Sequence, residues 1–360
     1  VRHNHEMLCH RKAEDLAEFL AIMRPDALIV DELHLCKTRD KKEESQRHHT
    51  LRALAQWCRD TGSAVYGMTG TPVTNEPSEA LSLIGLVNPQ TADELRKLNK
   101  KGKRVEFSMA IHEALQPISS RYVPAPPARL EQNTVTVRAD EFYDDVVDAL
   151  QRSQITADAV MAQAKFDALL ELASKPGKLL VFTSAVTSVV NPAADLLRRN
   201  GITTVIHTGD DKGSDGSSVE AFIRDPAVKV LVASTSTLAT GFDGLQQVCG
   251  RICFLTLPWT STEYDQAVAR ILRRGITFEK VELTTICAAL ADPEDGGNDW
   301  SLDHQKQLLL TSKRSICATV CDGIIPDGVN VRGGLNAVCQ ANRQWAKRMR
   351  ERRNQQEAGE

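Results

Sequence analysis

The stretch LIVDELH, Leu28 to His34, sets two adjacent carboxylates at the end of an apolar run. A carboxylate leaving a buried strand can hold Mg²⁺ directly or through water, and a second beside it can polarise a water for attack on a phosphate. Asp31 is the candidate metal ligand and Glu32 the candidate for the water, while His34, two residues on, is placed to sense the phosphate end. An acidic pair that merely closes a strand is the competing structural reading, and four residues alone do not choose between the two. The next candidate is MTGTP, continued by Val73, Thr74 and Asn75. If both stretches end neighbouring parallel strands, Thr69, Gly70 and Thr71 stand beside the carboxylates, at the sheet edge where ligands of such folds bind. A tight turn shaped by Gly70 and Pro72 is the plainer account.

A third group lies far down the chain, in EYDQAVARILRRG. Gln266, Arg270 and Arg273 are spaced by four and three, which predicts one shared helical face. Two guanidinium groups aimed at one place suit a polyphosphate. An arginine that meets charge developing only in the transition state accelerates phosphoryl transfer by about 10³ to 10⁵, whereas arginines on a solvated helix do nothing of the kind. Just upstream, STSTLATGFDGLQ offers small, hydroxyl and glycine residues after a strand, a composition that lets backbone approach a phosphate closely or simply makes a loop.

Positioning such residues requires parallel strands alternating with helices, and the chain reads that way twice. In the first half ALIVDE and AVYGMTG read as strands, with HTLRALAQWCRDTG between them as a helix closed by Gly62. In the second half the helix MAQAKFDALLELASKPG precedes the strands KLLVFTS, TTVIHTG, VKVLVAST and RICFLTLP, then KVELTTICAAL and a last helical stretch. The proline-rich RYVPAPPARLEQNTVTV reads as an exposed connector that runs into an edge strand. The expected organisation is residues 1–122 as one α/β unit, 123–160 as connector, 161–290 as a second α/β unit and 291–360 as a helical extension.

The 360 residues are 42% hydrophobic and 25% charged, and no apolar run approaches the roughly 18 residues of a membrane span. VRHNHEML lacks the apolar stretch of a secretory signal, and nine scattered cysteines fit reduced thiols, so the expectation is a cytoplasmic protein with no membrane partner. A formal net charge of −3 gives no whole-molecule attraction to nucleic acid, which would need a local basic groove. The tail NRQWAKRMRERRNQQ reads first as a solvated helical end and second as a phosphate-binding arm. Cys249 with Cys253, and Cys317 with Cys321, could in principle meet as zinc ligands, but cysteines four apart on a helix are more often half-buried small apolar groups.

Taken in order, these stretches resemble the superfamily 2 helicase and translocase ATPases, most closely the Swi/Snf-type branch. DELH resembles the DExH box (motif II), and TGTPVTN, Thr69 to Asn75, the motif III form of that branch. KLLVFTS resembles motif IV, HTGD (His207 to Asp210) the strand-end motif after it, STSTLATGFDGLQ motif V, and Gln266 to Gly275 motif VI. SLDHQKQLLLTSKRSICATVCDG is similar to the family's helix after motif VI, and the likeness runs collinearly from about His3 to Gly323.

The resemblance implies two RecA-like lobes with parallel sheets, the first incomplete, and an ATP and Mg²⁺ site in the cleft between them. Asp31 and Glu32 would serve metal and water, and Thr69, Gly70 and Thr71 would couple the site to movement. Gly241 and Asp243 would contact ATP, and Gln266, Arg270 and Arg273 would reach its phosphates. Thr183, Ser184, Thr208, Gly209, Ser234 and Thr235 would grip the backbone of DNA, most often a duplex bound without regard to sequence.

One part of the pattern is missing. No glycine followed after four residues by Gly-Lys-Ser/Thr occurs, since Gly102-Lys103 runs into Arg104 and Gly177-Lys178 into Leu179. The opening residues resemble the segment that leads into motif II, so the expectation is a C-terminal portion whose phosphate loop belongs to an upstream polypeptide. The alternative is an ATPase-inactive module that binds nucleic acid or protein.

Overall fold

The computed structural model describes residues 18, 20–37, 45–70, 72–73, 76–99, 104–184, 186–209, 217–238, 242–292, 299–325 and 335–359. The fold is α/β with parallel sheets, and the chain divides into two compact units, Val1–Tyr122 with Ser312–Arg332, and Val123–Thr311 with Gly333–Glu360.

In the first unit β1 (Ala27–Val30) pairs in parallel with β2 (Ala64–Gly67), from Ala27 opposite Ala64 to Val30 opposite Gly67. The helix between them, α1 (Gln46–Asp60), starts where Ser45 Oγ accepts the His48 N–H at 3.2 Å and ends before Gly62, whose φ of 79° is one that glycine adopts without strain. Leu51, Leu54, Ala55 and Cys58 recur at helical spacing and turn inward. Val30, Leu33, Cys36 and Leu51 pack with Leu83 and Leu86 of α2 (Glu79–Val87), and Leu28 lies against them. Strand alternation puts the intervening Ile29 on the other face, where it is 63% exposed, as Tyr66 is at 57%. Asn88 then caps α3 (Pro89–Leu98), which carries proline at its first position. A second core joins these helices to α4 (Arg104–Leu115) through Leu81, Ile84, Leu95, Phe107 and Ile111, with Ile316 and Val320.

The second unit is built on a larger sheet, ordered β3 (Arg129–Arg138), β8 (Lys280–Ala291), β7 (Arg251–Phe254), β4 (Leu179–Thr183), β6 (Val230–Ser234), β5 (Thr204–His207). All these pairings are parallel, and a two-residue β9 (Asp299–Trp300) adds antiparallel to β8. Every residue of β4 and β6 is buried, as continuous apolar runs require when both faces are covered. Leu180, Phe182, Leu231, Ala233, Ile252 and Phe254 face one core, and Leu179, Val181, Val230, Val232, Cys253 and Leu255 the other. Phe254 stacks between Phe182, at 5.5 Å, and Tyr264, at 4.6 Å.

Helices α5 (Tyr143–Arg152), α6 (Gln154–Gln163), α7 (Phe166–Ser174), α8 (Val186–Arg199), α9 (Ser217–Arg224), α10 (Leu245–Val248) and α11 (Ser261–Val268) connect the strands. Two long helices complete the described chain, α12 (Leu302–Asp322), whose first part belongs to this unit, and α13 (Leu335–Gly359).

Two expectations about helices fail for a physical reason. The stretch MAQAKFDALLELASKPG is not one helix, because the chain turns at Ala164 and Lys165. That break carries the Lys165 ammonium into the interior, where it is fully buried and ion-paired with Asp303. Nor do Gln266, Arg270 and Arg273 share a helical face. The α-helix stops at Val268, and Arg270 and Ile271 continue by tighter bonds to Ala267 and Val268 while Ile271 is drawn fully into the core. Arg273 lies beyond, in the turns before Gly275.

Candidate functional site

In the first unit Asp31 is the residue immediately after β1, and its Oδ1 accepts the Glu32 N–H at 2.9 Å. Glu32 adopts φ 47° and ψ 46°, a left-handed conformation that a branched-free acidic residue takes only where the surroundings hold it. The reason is visible in the next bonds. Met68 N–H donates to Val30 O and Leu33 N–H to Met68 O, so the chain after β1 turns sharply over the end of β2. Gly67 permits this, since a Cβ there would collide with Leu33 Cδ2. Leu33 and His34 are thereby buried, while the Glu32 side chain is 52% exposed.

His34 Nδ1 stands 3.1 Å from Thr69 Oγ1 and 3.2 Å from Glu32 Oε2. The acidic stretch and the stretch after β2 are therefore joined through one imidazole. Below it, Lys37 pairs with Glu79 at 3.1 Å, both largely buried, and His48 Nδ1 meets Cys36 O at 2.7 Å, which fixes the short turn Leu33–Cys36. Gly70 follows Thr69; Thr71, Thr74 and Asn75 lie outside the described residues.

In the second unit the remaining candidates gather at the C-terminal ends of the parallel strands, but several turn inward. Thr183, at the end of β4, is fully buried and its hydroxyl meets Thr256 Oγ1 at 2.8 Å. Ser184 donates its N–H to Thr256 Oγ1 at 2.7 Å, and its Oγ lies 3.2 Å from Asp158 Oδ2 and from Leu257 O. Ser234, closing β6, is fully buried and its Oγ accepts the Thr237 N–H at 3.3 Å. Thr235 is buried and donates its N–H to Thr183 O at 3.1 Å. Thr208 is half-buried and Gly209 exposed beyond β5, with Gly209 close against Thr237, where a Cβ would come within 2.9 Å of Cγ2. Asp210 and Gly241 lie outside the described residues.

Asp243 and Arg273 come together, Oδ1 to Nη1 at 3.5 Å, and Gln246 donates to the same carboxylate oxygen at 2.7 Å. The Gln246 hydrogen bond first, then the Gly244 N–H and the Arg273 charge, hold the Asp243 carboxyl below the usual range. Arg270 is half-buried; burial, and the Arg273 guanidinium, pull its pKa below the ordinary arginine value. The carboxylate beside Arg273 in this arrangement is Asp243. Gln266 is half-buried on α11.

Residues 164–275 match the helicase conserved C-terminal domain. The strand-end candidates Thr183, Ser184, Thr208, Gly209, Ser234 and Thr235, together with Asp243, Gln266, Arg270 and Arg273, all fall inside this helicase C-terminal domain. Two solved structures are similar over less than half of the chain. One is the E. coli DEAD-box protein SrmB bound to regulator of ribonuclease activity A (RraA), with 19% identity over 44% of this chain and 78% of that one and a TM-score of 0.32. The other is the C-terminal domain of the DEAD-box protein Dbp5, with 16% identity over 43% and 76% and a TM-score of 0.32. No curated protein is detectably similar to the chain.

Sequence reasoning missed what supports the helicase C-terminal domain at its strand ends. Beyond Phe254 the ladder of β7 ends, and two buried lysines take its free carbonyls. Lys165 Nζ donates to Leu255 O at 2.9 Å and pairs with Asp303 at 2.7 Å, and Lys306 Nζ donates to Leu257 O at 2.8 Å and pairs with Asp158. Asp303 also accepts the Ala288 N–H at 2.9 Å, and Lys306 lies 4.5 Å over the Trp259 ring. Asp158 thus carries both Lys306 and Ser184. The signal in the sequence was a lone lysine inside the apolar run AQAKFDALL.

Cys249 and Cys253 are buried in the second unit, where burial pushes their thiols up to about 11 and about 12, and Cys317 and Cys321 face each other at 3.8 Å in the first. Among the described residues no group of three or more His, Cys, Asp and Glu side chains could hold a metal, and no helix is long and apolar enough to cross a membrane.

Proposed function

We propose that the chain is the C-terminal portion of an ATP-dependent nucleic-acid translocase of superfamily 2, Swi/Snf type, in which ATP hydrolysis drives movement on duplex DNA. The observation that carries this reading is the His34–Thr69 contact, which joins an Asp-Glu pair at one strand end to a Thr-Gly pair at the next, in a chain that also matches a helicase C-terminal domain. Mg²⁺-bound ATP supplies the phosphate that reacts. Asp31, exposed at the strand end, would hold the metal, which would offset charge on the phosphate, and Glu32 would orient the water and take its proton. His34 reports the state of that carboxylate to Thr69 and Gly70, since its ring touches both Glu32 and Thr69. Arg270 and Arg273 meet phosphate oxygens, and Asp243 fixes the Arg273 guanidinium. Thr208 and Gly209 contact the nucleic-acid backbone, whereas Thr183, Ser184, Ser234 and Thr235 shape the strand ends that present them.

A second reading is favoured by the lack of any glycine-rich phosphate loop in the sequence: the acids and arginines persist, but the chain acts as a nucleic-acid or protein binding module. Nucleic-acid-stimulated ATPase activity separates the two, measured on this chain alone and again with the polypeptide encoded immediately upstream. The first reading expects slow turnover alone, strong DNA-stimulated turnover in combination, and loss of it in Arg270→Ala and Arg273→Ala. Inactivity in both cases with DNA still bound establishes the second reading, and stimulation by RNA instead of DNA overturns the duplex-DNA assignment.

A further inference from the structure

The helix α13 buries its apolar side in the second unit and leaves a row of cations exposed along one flank. Trp345, Ala346 and Met349 lie in a core with Val146, Leu150 and Trp300. Trp345 stacks on Trp300 at 4.3 Å and donates Nε1–H to Asp292 Oδ2 at 2.8 Å. Asn342 donates to Gln154 Oε1 at 2.8 Å, and Arg353 pairs with Asp144 at 2.8 Å and Asp148 at 3.4 Å. These contacts fix both the position and the rotation of the helix.

Along one flank of the helix, beside that buried side, Arg343, Lys347 and Arg350 follow one another at spacings of four and three, and all are exposed. At 1.5 Å per residue the three cations span about 10 Å of helix axis. Among the described residues the stripe's acidic partner is Glu351, 3.8 Å from Lys347 with both side chains more than half exposed, a pair that water and salt screen to little effect.

We propose that the Arg343–Lys347–Arg350 stripe is a sequence-independent contact for the phosphate backbone of nucleic acid, separate from the strand-end residues; this rests on the nucleic-acid reading of the helicase C-terminal domain. A duplex carries one negative charge per about 1.7 Å of axis, so a row of three cations along about 10 Å meets phosphates wherever it lands. The stripe is pre-ordered by the packing of Trp345, so binding does not have to order the helix first. A lipid surface fits less well, because an interfacial helix needs a free apolar face and this one has its own inside the protein.

The test is the salt dependence of binding to a random-sequence 30-base-pair duplex, by fluorescence anisotropy on the whole chain. The variant Arg343→Gln/Lys347→Gln/Arg350→Gln is compared with a control of equal charge change, Arg152→Gln/Arg199→Gln/Lys229→Gln, three exposed cations elsewhere in the unit. The stripe variant is expected to lower the slope of log Kd against log salt by about 2 to 3 and to weaken binding about tenfold or more, with an unchanged melting temperature. Lys347→Gln alone is expected to lower the slope by about 0.9, which keeps the test decisive if the triple variant does not fold. Equal loss in the control, or an unchanged slope in the stripe variants, overturns the proposal while leaving the nucleic-acid reading intact. Absence of duplex binding by the unaltered chain overturns both. Loss of binding to phosphatidylserine vesicles, with duplex binding untouched, assigns the stripe to a membrane surface instead.

Discussion

The two sheets of this chain are built from similar strand–helix–strand sequence and end in opposite conditions. In the second unit β4 and β6 are buried along their whole length, with a core on each face. In the first, the described β1 and β2 cover one face with Leu51, Leu83 and Leu86 and leave Ile29 and Tyr66 more than half exposed on the other. The first sheet therefore draws its stability from one layer of packing and from the bonds that tie Leu33 to Met68, while the second draws on two layers and on ions buried between them. The carboxylates sit on the lightly supported sheet and the arginines on the heavily supported one.

The sharpest way to test that contrast is to break the buried ions. Lys165→Met leaves the Asp303 carboxylate inside the protein with only the Ala288 N–H, and removing one partner of a buried pair costs about 3 to 5 kcal/mol. Urea unfolding is expected to show that loss, and the added change Asp303→Leu is expected to recover most of it, because two apolar residues of similar size leave no charge stranded. A loss below about 1 kcal/mol for Lys165→Met would mean that the second unit does not depend on its interior charges.

How much of this was legible beforehand depends on how far the deciding contact lies in sequence. The strands of the second sheet were readable because a strand buried on both faces must be apolar throughout, which LLVFT and VLVAS are. The adjacency of DELH and TGTP was readable because one helix separates two parallel strands. The break at Lys165 was not, since the apolar period runs straight through it and the partner, Asp303, is 138 residues away. The end of α11 at Val268 was hidden likewise. Arg270 and Arg273 continue the helical spacing on paper, but burial of Ile271 tightens the chain before they are reached. The strand-end hydroxyls of Thr183 and Ser184 were read as contacts for a nucleic-acid backbone, but their direction is set by Thr256, more than 70 residues on.

A matched pair of core truncations sharpens the comparison at intermediate size. Leu231 is fully buried in the two-sided sheet and Leu51 is 2% exposed beneath the one-sided one. Leucine-to-alanine changes cost about 2 to 5 kcal/mol, with the value set by how far the surroundings collapse into the cavity. Leu231→Ala, fixed on both sides, is expected near the top of that range. Leu51→Ala is expected near the bottom, because a helix packed under a sheet with one open face can settle inward. Equal losses by urea unfolding would mean that the first sheet is held as rigidly as the second.

The smallest expected effect bears on the exposed face itself. Ile29 is 63% exposed, so replacing it removes little apolar surface from the interior; Ile29→Ser is expected to change stability by no more than about 0.5 kcal/mol. The hydroxyl would stand in water and leave no buried donor without a partner. A loss above about 1.5 kcal/mol would show that this face is covered in solution, since only burial of most of the side chain yields a penalty of that size. The cover would then have to come from residues outside those described or from another chain. The lightly supported sheet would in that case be a complete one, and the contrast between the two units would disappear.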